Sequence, residues 1–114
     1  MTSPLVAIID YGLGNLFSVK HACAYAGLMA EITSDAQRLV AADAIILPGV
    51  GAFGDAMAAL RRLDLVEALR DASASGKQLV GICLGLQLMM SESCEFGLHK
   101  GLDIFKGPVV RFEN

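Results

Sequence analysis

Three short runs along the chain are apolar at nearly every position, and each gives way to a glycine-bearing turn. Leu5-Val6-Ala7-Ile8-Ile9 leads into Asp10-Tyr11-Gly12-Leu13-Gly14-Asn15, Ala44-Ile45-Ile46-Leu47 into Pro48-Gly49-Val50-Gly51, and Gln78-Leu79-Val80-Gly81-Ile82-Cys83 into Leu84-Gly85. A half-exposed strand alternates apolar with polar residues. These runs do not, which predicts strands buried on both faces. Between them the spacing changes. Leu16, Val19, Cys23 and Ala26 fall three and four residues apart and Gly27 follows, so a helix is expected that buries Cys23 and stops at the glycine. Met29 to Thr33 reads as a weaker strand. Ala56 to Leu69 carries leucines and alanines at helical spacing with Asp55 near its start, predicting one helix, and Gly76 stops the segment that follows. A last amphipathic stretch runs from Leu84 to about Met90.

Buried strands alternating with helices imply right-handed crossovers and a parallel sheet. The expected fold class is α/β, a doubly wound and mostly parallel sheet with helices on both faces. Ligands of such sheets bind beyond the carboxyl ends of the strands. The turns at Gly12/Gly14, Gly49/Gly51 and Cys83/Gly85 would converge there. No internal repeat, low-complexity tract or linker interrupts the pattern, so one domain is expected.

Charge and composition remove several classes of function. The 114 residues carry a formal net charge of −3 with a pI near 5.2, and their basic residues are scattered. That offers nothing to a nucleic-acid backbone or to an anionic membrane surface. No apolar run reaches the roughly 18 residues of a membrane span, and Met1-Thr2-Ser3-Pro4 lacks a basic secretory start, so the expected compartment is the cytoplasm. Cys23, Cys83 and Cys94 are odd in number and show no C-x-x-C spacing. Neither a disulfide framework nor a metal site is indicated, and no cofactor is called for. The hydrophobic fraction of 54% and mean hydropathy of +0.55 are high for so short a chain, which implies that some apolar surface meets something else.

The chemistry concentrates at Gly81-Ile82-Cys83-Leu84-Gly85, where a strand is predicted to turn into a helix. With 12 glycines and 3 cysteines in 114 residues, composition alone yields roughly 0.03 chance G-x-C-x-G matches, so the pattern calls for a reason. It is the thiol version of a nucleophile elbow, whose glycines let neighbouring backbone pass close to a strained turn residue. The Pro48-Gly49-Val50-Gly51 turn is its complement. The amides of Val50 and Leu84 could form an oxyanion hole, and such donors are commonly worth about 10²- to 10³-fold in rate. A thiol nucleophile also needs a base. Of the two histidines, His21 falls inside the first helix and His99 in the loop-like Phe96-Gly97-Leu98-His99-Lys100-Gly101, so neither is expected to serve. Gly12-Leu13-Gly14 begins a dinucleotide fingerprint, but Phe17 stands where the third glycine would be and there is no P-loop lysine.

Together, Asp10-Tyr11-Gly12-Leu13-Gly14-Asn15-Leu16, Leu47-Pro48-Gly49-Val50-Gly51-Ala52-Phe53-Gly54 and Gly81-Ile82-Cys83-Leu84-Gly85-Leu86-Gln87-Leu88-Met89 resemble the class I glutamine amidotransferases. Within these, they are similar to the glutaminase subunits of imidazole glycerol phosphate synthase, from residue 5 to about 112. The resemblance implies a flavodoxin-like fold and hydrolysis of L-glutamine, with ammonia passed to a cyclase-type (β/α)8 barrel synthase subunit. Cys83 would form the γ-glutamyl thioester. The turn of Gly49, Val50 and Gly51, with Leu84, would bind the oxyanion, and Gln87 and Glu95 would hold the amino-acid moiety. The His-Pro-Glu motif of the family is not among these 114 residues. The chain is therefore expected to be the N-terminal part of one amidotransferase domain, inactive by itself.

Glu95-Phe96-Gly97-Leu98-His99-Lys100-Gly101-Leu102 also looks like paralogues that feed ammonia to amino-sugar synthesis for surface polysaccharides, with the same chemistry at Cys83. Two readings come from other classes. One is a non-catalytic interaction module that binds through an uncovered sheet edge. The other is a different cysteine-elbow α/β protein that recruits its own histidine.

Overall fold

A computed structural model describes residues 4–112. Four parallel strands form the main sheet: β1 (Leu5–Ile9), β2 (Met29–Thr33), β3 (Ala44–Leu47) and β4 (Gln78–Gly81), in the order β2-β1-β3-β4. All three pairings are parallel, with Ile8 opposite both Ile32 and Ile46. This is the expected doubly wound α/β arrangement.

Because side chains alternate across a strand, the apolar runs of β1 and β3 serve two cores at once. Ala7, Ile9, Ile45 and Leu47 face a larger core with α2 (Ala36–Ala41), α3 (Phe53–Arg62), α4 (Val66–Ala74) and α5 (Leu84–Leu88). Val6 and Ile8 face the other side, where Cys23 of α1 (Leu16–Tyr25) is buried as expected. The third run is not buried on both faces as expected: helix α1 covers β1 and leaves one face of β4 bare, with Val80 47% exposed and Ile82, just after the strand, 37% exposed. Ile82 lines an apolar groove with Val19, Ala22, Cys23, Leu28 and Ile46.

The single helix expected over Ala56–Leu69 is two helices. Leu63 ends α3, Asp64 takes a left-handed φ of 55°, and α4 starts at Val66. The Leu65 amide returns to the Leu60 carbonyl and the Asp64 amide to that of Arg61. That is the bond pattern that glycine supplies at Gly27, where Leu28 returns to Cys23 and Gly27 to Ala24. The break lets both Leu60 and Leu65 bury completely.

Helix α2 was not read from the sequence. Its start is capped by Asp35, whose Oδ1 accepts from the Gln37 amide at 2.9 Å.

Beyond α5 the chain builds a second, three-stranded sheet in the order β6-β5-β7, from β5 (Met90–Ser93), β6 (His99–Lys100) and β7 (Phe105–Val109). The amphipathic stretch therefore stops being helical at Leu88. The carbonyls of Leu88, Met89 and Met90 accept from Leu102, Ile104, Phe105 and Asp103 instead of from a next helical turn. No helix among the described residues is long and apolar enough to cross a membrane.

Candidate active site

The three glycine-bearing turns meet at the carboxyl ends of β1, β3 and β4, as expected. A Cβ on Gly14 would lie 3.2 Å from Pro48 Cβ and 3.5 Å from the Gly49 nitrogen. One on Gly49 would lie 3.0 Å from the Gly85 nitrogen and 3.1 Å from Leu84 Cβ, and would strike the Tyr11 hydroxyl. Each turn carries glycine where another turn's backbone arrives. Tyr11 ties the first turn to the second, its buried hydroxyl donating to the Pro48 carbonyl. Burial pushes the pKa of this phenol up to about 12, because the charged form would lose its water.

Cys83 stands between β4 and α5 with φ 56° and ψ −122°, a conformation that L-residues rarely adopt. Strain of this kind costs on the order of 1–3 kcal/mol and persists only where the surroundings impose it. Here Gly81 and Gly85 impose it. A Cβ on Gly81 would come within 2.7 Å of Leu86 Cα, and one on Gly85 would strike the Leu47 carbonyl. The thiol is exposed and caps nothing. Among the described residues, neither the Val50 amide nor that of Leu84 donates to a protein acceptor.

Gln87 lies one turn along α5, its amide 3.4 Å from the Cys83 carbonyl. With Ser93, Cys94, Glu95, Phe96 and the segment 109–112 it lines a groove of about 640 Å³. The structure thus brings Gln87 and Glu95 to one groove. Glu95 has a second contact that sequence reasoning missed: its Oε1 accepts from the Phe53 amide at 3.2 Å, where α3 begins just after the Gly49–Gly51 turn. The two are 42 residues apart, so no local pattern could reveal the pair.

Neither histidine lines that groove. His21 is exposed on α1, across the sheet from α3 to α5. His99 belongs to β6, not to a loop, and its Nε2 lies 3.2 Å from the Phe96 carbonyl. No group of three or more His, Cys, Asp or Glu that could hold a metal ion occurs among the described residues.

The fold is shared with a crystal structure of a glutamine amidotransferase, with TM-score 0.79 and 21% identity over 93% of this chain and 56% of the other. It is shared also with a protein from Listeria monocytogenes EGD-e assigned to peptidase E, with TM-score 0.74 and 16% identity over 90% of this chain and 63% of that one. Such identities speak for the fold alone. Sequence goes further. The imidazole glycerol phosphate synthase subunit HisH of Rhodopirellula baltica is 51% identical over 96% of this chain and 53% of its own length. That of Moorella thermoacetica is 52% identical over 93% and 50%. The chain spans about half the length of the curated relatives it matches. Residues 7–110 match the CobB/CobQ-like glutamine amidotransferase domain family. With nearly its whole length inside that match, the chain belongs to the glutamine amidotransferase family.

Proposed function

We propose that this chain carries the nucleophile half of a glutaminase site, the N-terminal part of one amidotransferase domain that hydrolyses L-glutamine and supplies ammonia to a synthase. The observation that carries the reading is the strained Cys83 turn pressed against the Gly49–Gly51 turn. The Cys83 thiolate attacks the γ-carboxamide carbon of glutamine, forming a C–S bond and a tetrahedral oxyanion. The unengaged amides of Val50 and Leu84 receive that oxygen. Collapse breaks the C–N bond and ammonia leaves with an added proton. Water then cleaves the γ-glutamyl thioester, releasing glutamate and restoring the thiol. Gln87 and Glu95 hold the amino-acid end in the neighbouring groove.

The relatives' names favour imidazole glycerol phosphate synthase, and so histidine biosynthesis, as the process served. The partner is then a cyclase-type (β/α)8 barrel in the cytoplasm. A second reading, a binding module without turnover, draws on the bare apolar strip of Val80 and Ile82. Substrate protection separates the two. Glutamine is expected to slow alkylation of Cys83 by iodoacetamide, and asparagine, one methylene shorter, is not. Equal alkylation rates with and without glutamine would leave the module reading standing.

A further inference from the structure

Helix α3 begins after Ala52, whose side chain caps nothing. The amides of a first helical turn need acceptors from outside the helix. For Phe53 the acceptor is Glu95, which also places a negative charge at the positive end of α3. Glu95 sits on an exposed turn between β5 and β6, so something must hold that turn against the helix. The His99 ring fills the space beside Gly54, where a Cβ would lie 2.7 Å from Cε1 and 2.9 Å from each ring nitrogen. Its Nε2 contact with the Phe96 carbonyl folds the turn back on its own strand. His99 also pairs with Ser93 across the β5–β6 hairpin. Arg61 of α3 donates to the Lys100 carbonyl at 3.1 Å.

We propose that His99 is a positioning residue for the glutamine site: seated on Gly54, its imidazole clamps the Ser93–His99 turn to the start of α3 and so fixes Glu95. The role rests on the glutaminase reading and extends it to a residue that moves no proton. An ionised carboxylate accepts from several donors at once. One oxygen of Glu95 caps α3 while the other receives the ammonium of glutamine. Binding of the amino-acid end then depends on one side chain, which His99 holds.

The test follows Cys83 alkylation in the whole chain by a diazoketone analogue of glutamine, as a function of analogue concentration. In His99→Ala the half-saturating concentration is expected to rise about tenfold, the worth of one charge-assisted contact. The limiting rate should stay within about twofold, because the Cys83 turn is untouched. His99→Gln keeps a donor for the Phe96 carbonyl and most of the volume over Gly54, and should recover most of the affinity. Gly54→Ala, which displaces an intact His99 from the helix, should reproduce the loss. Hydrogen exchange at the Phe53 amide should quicken in His99→Ala and Gly54→Ala but not in His99→Gln. An unchanged half-saturating concentration in His99→Ala would overturn the proposal, as would a loss confined to the limiting rate. Alkylation that never saturates in the unsubstituted chain would sink the glutaminase reading itself, a failure in which His99→Ala plays no part.

Discussion

The carbonyl oxygen of Leu47, the last residue of β3, occupies the place where a Cβ on Gly85 would lie. The same carbonyl accepts from the Ile82 amide at 3.0 Å, so it cannot swing aside without releasing β4. Gly85 is therefore a packing requirement between β3 and α5. That close approach also brings Gly49 against Leu84.

Gly85→Ala is accordingly expected to cost roughly 3 kcal/mol or more, as overpacking against backbone does. Gly27→Ala meets nothing within 4 Å and strains only its φ of 82°, so about 1 kcal/mol is expected there. Denaturant unfolding of the two variants gives the comparison. Equal costs would mean that α5 is free to move off β3.

Tyr11 yields a prediction with pH. Its folded-state pKa of about 12 lies above the ordinary 10.0. Below pH 10 both states hold the proton and the full contribution to stability is present. Between pH 10 and 12 the unfolded chain releases it and the folded chain does not. Stability therefore falls as pH rises through that window, by on the order of 2–3 kcal/mol from this group. Tyr11→Phe should lose about 1 kcal/mol at neutral pH with its bond to Pro48, and should show a shallower decline across the window. Parallel curves for the two proteins would contradict the assignment.

These sites differ in how far they could be read beforehand. β1, β2, β3 and α1 follow from runs and spacings that their own residues carry, and Gly27 marks the end of α1 because glycine adopts a left-handed φ freely. Asp64 makes the same turn with a residue that gives no such signal, so α3 and α4 read as one helix. The second sheet was invisible for a different reason. Its strands form because residues 102–105 take the carbonyls that would extend α5, a long-range competition that local periodicity does not express. Cys83 and the Gly49–Gly51 turn were legible because close backbone approach demands glycine. The capping of Phe53 by Glu95 and the seat of His99 on Gly54 were not, since each joins ordinary residue types far apart in the chain.

Turnover by the chain alone is expected to be absent. His21 lies on α1 across the sheet and the His99 ring is engaged by the Phe96 carbonyl and Gly54, so neither is expected to activate water or protonate departing ammonia. Loss of the base from a nucleophile–base pair can cost about 10⁶ in rate, because the members act as a unit. Glutamate release should match a Cys83→Ala control, with or without a barrel partner. Cys83-dependent release by the chain alone would identify a base within these residues.

Whether Cys83 is the nucleophile of a glutamine site is decided by peptide mass mapping after reaction with a diazoketone analogue of glutamine. Cys23 is buried, but Cys94 is exposed and lines the same groove as Gln87 and Glu95, so it is a real competitor. A group that merely lies near bound analogue would be modified slowly and in proportion to its exposure. A nucleophile aimed at the reacting carbon is trapped first. One adduct is expected, on the peptide containing Cys83, formed well before any on Cys94 and slowed by glutamine. An adduct that forms first on Cys94, or on both at rates glutamine does not change, would contradict it.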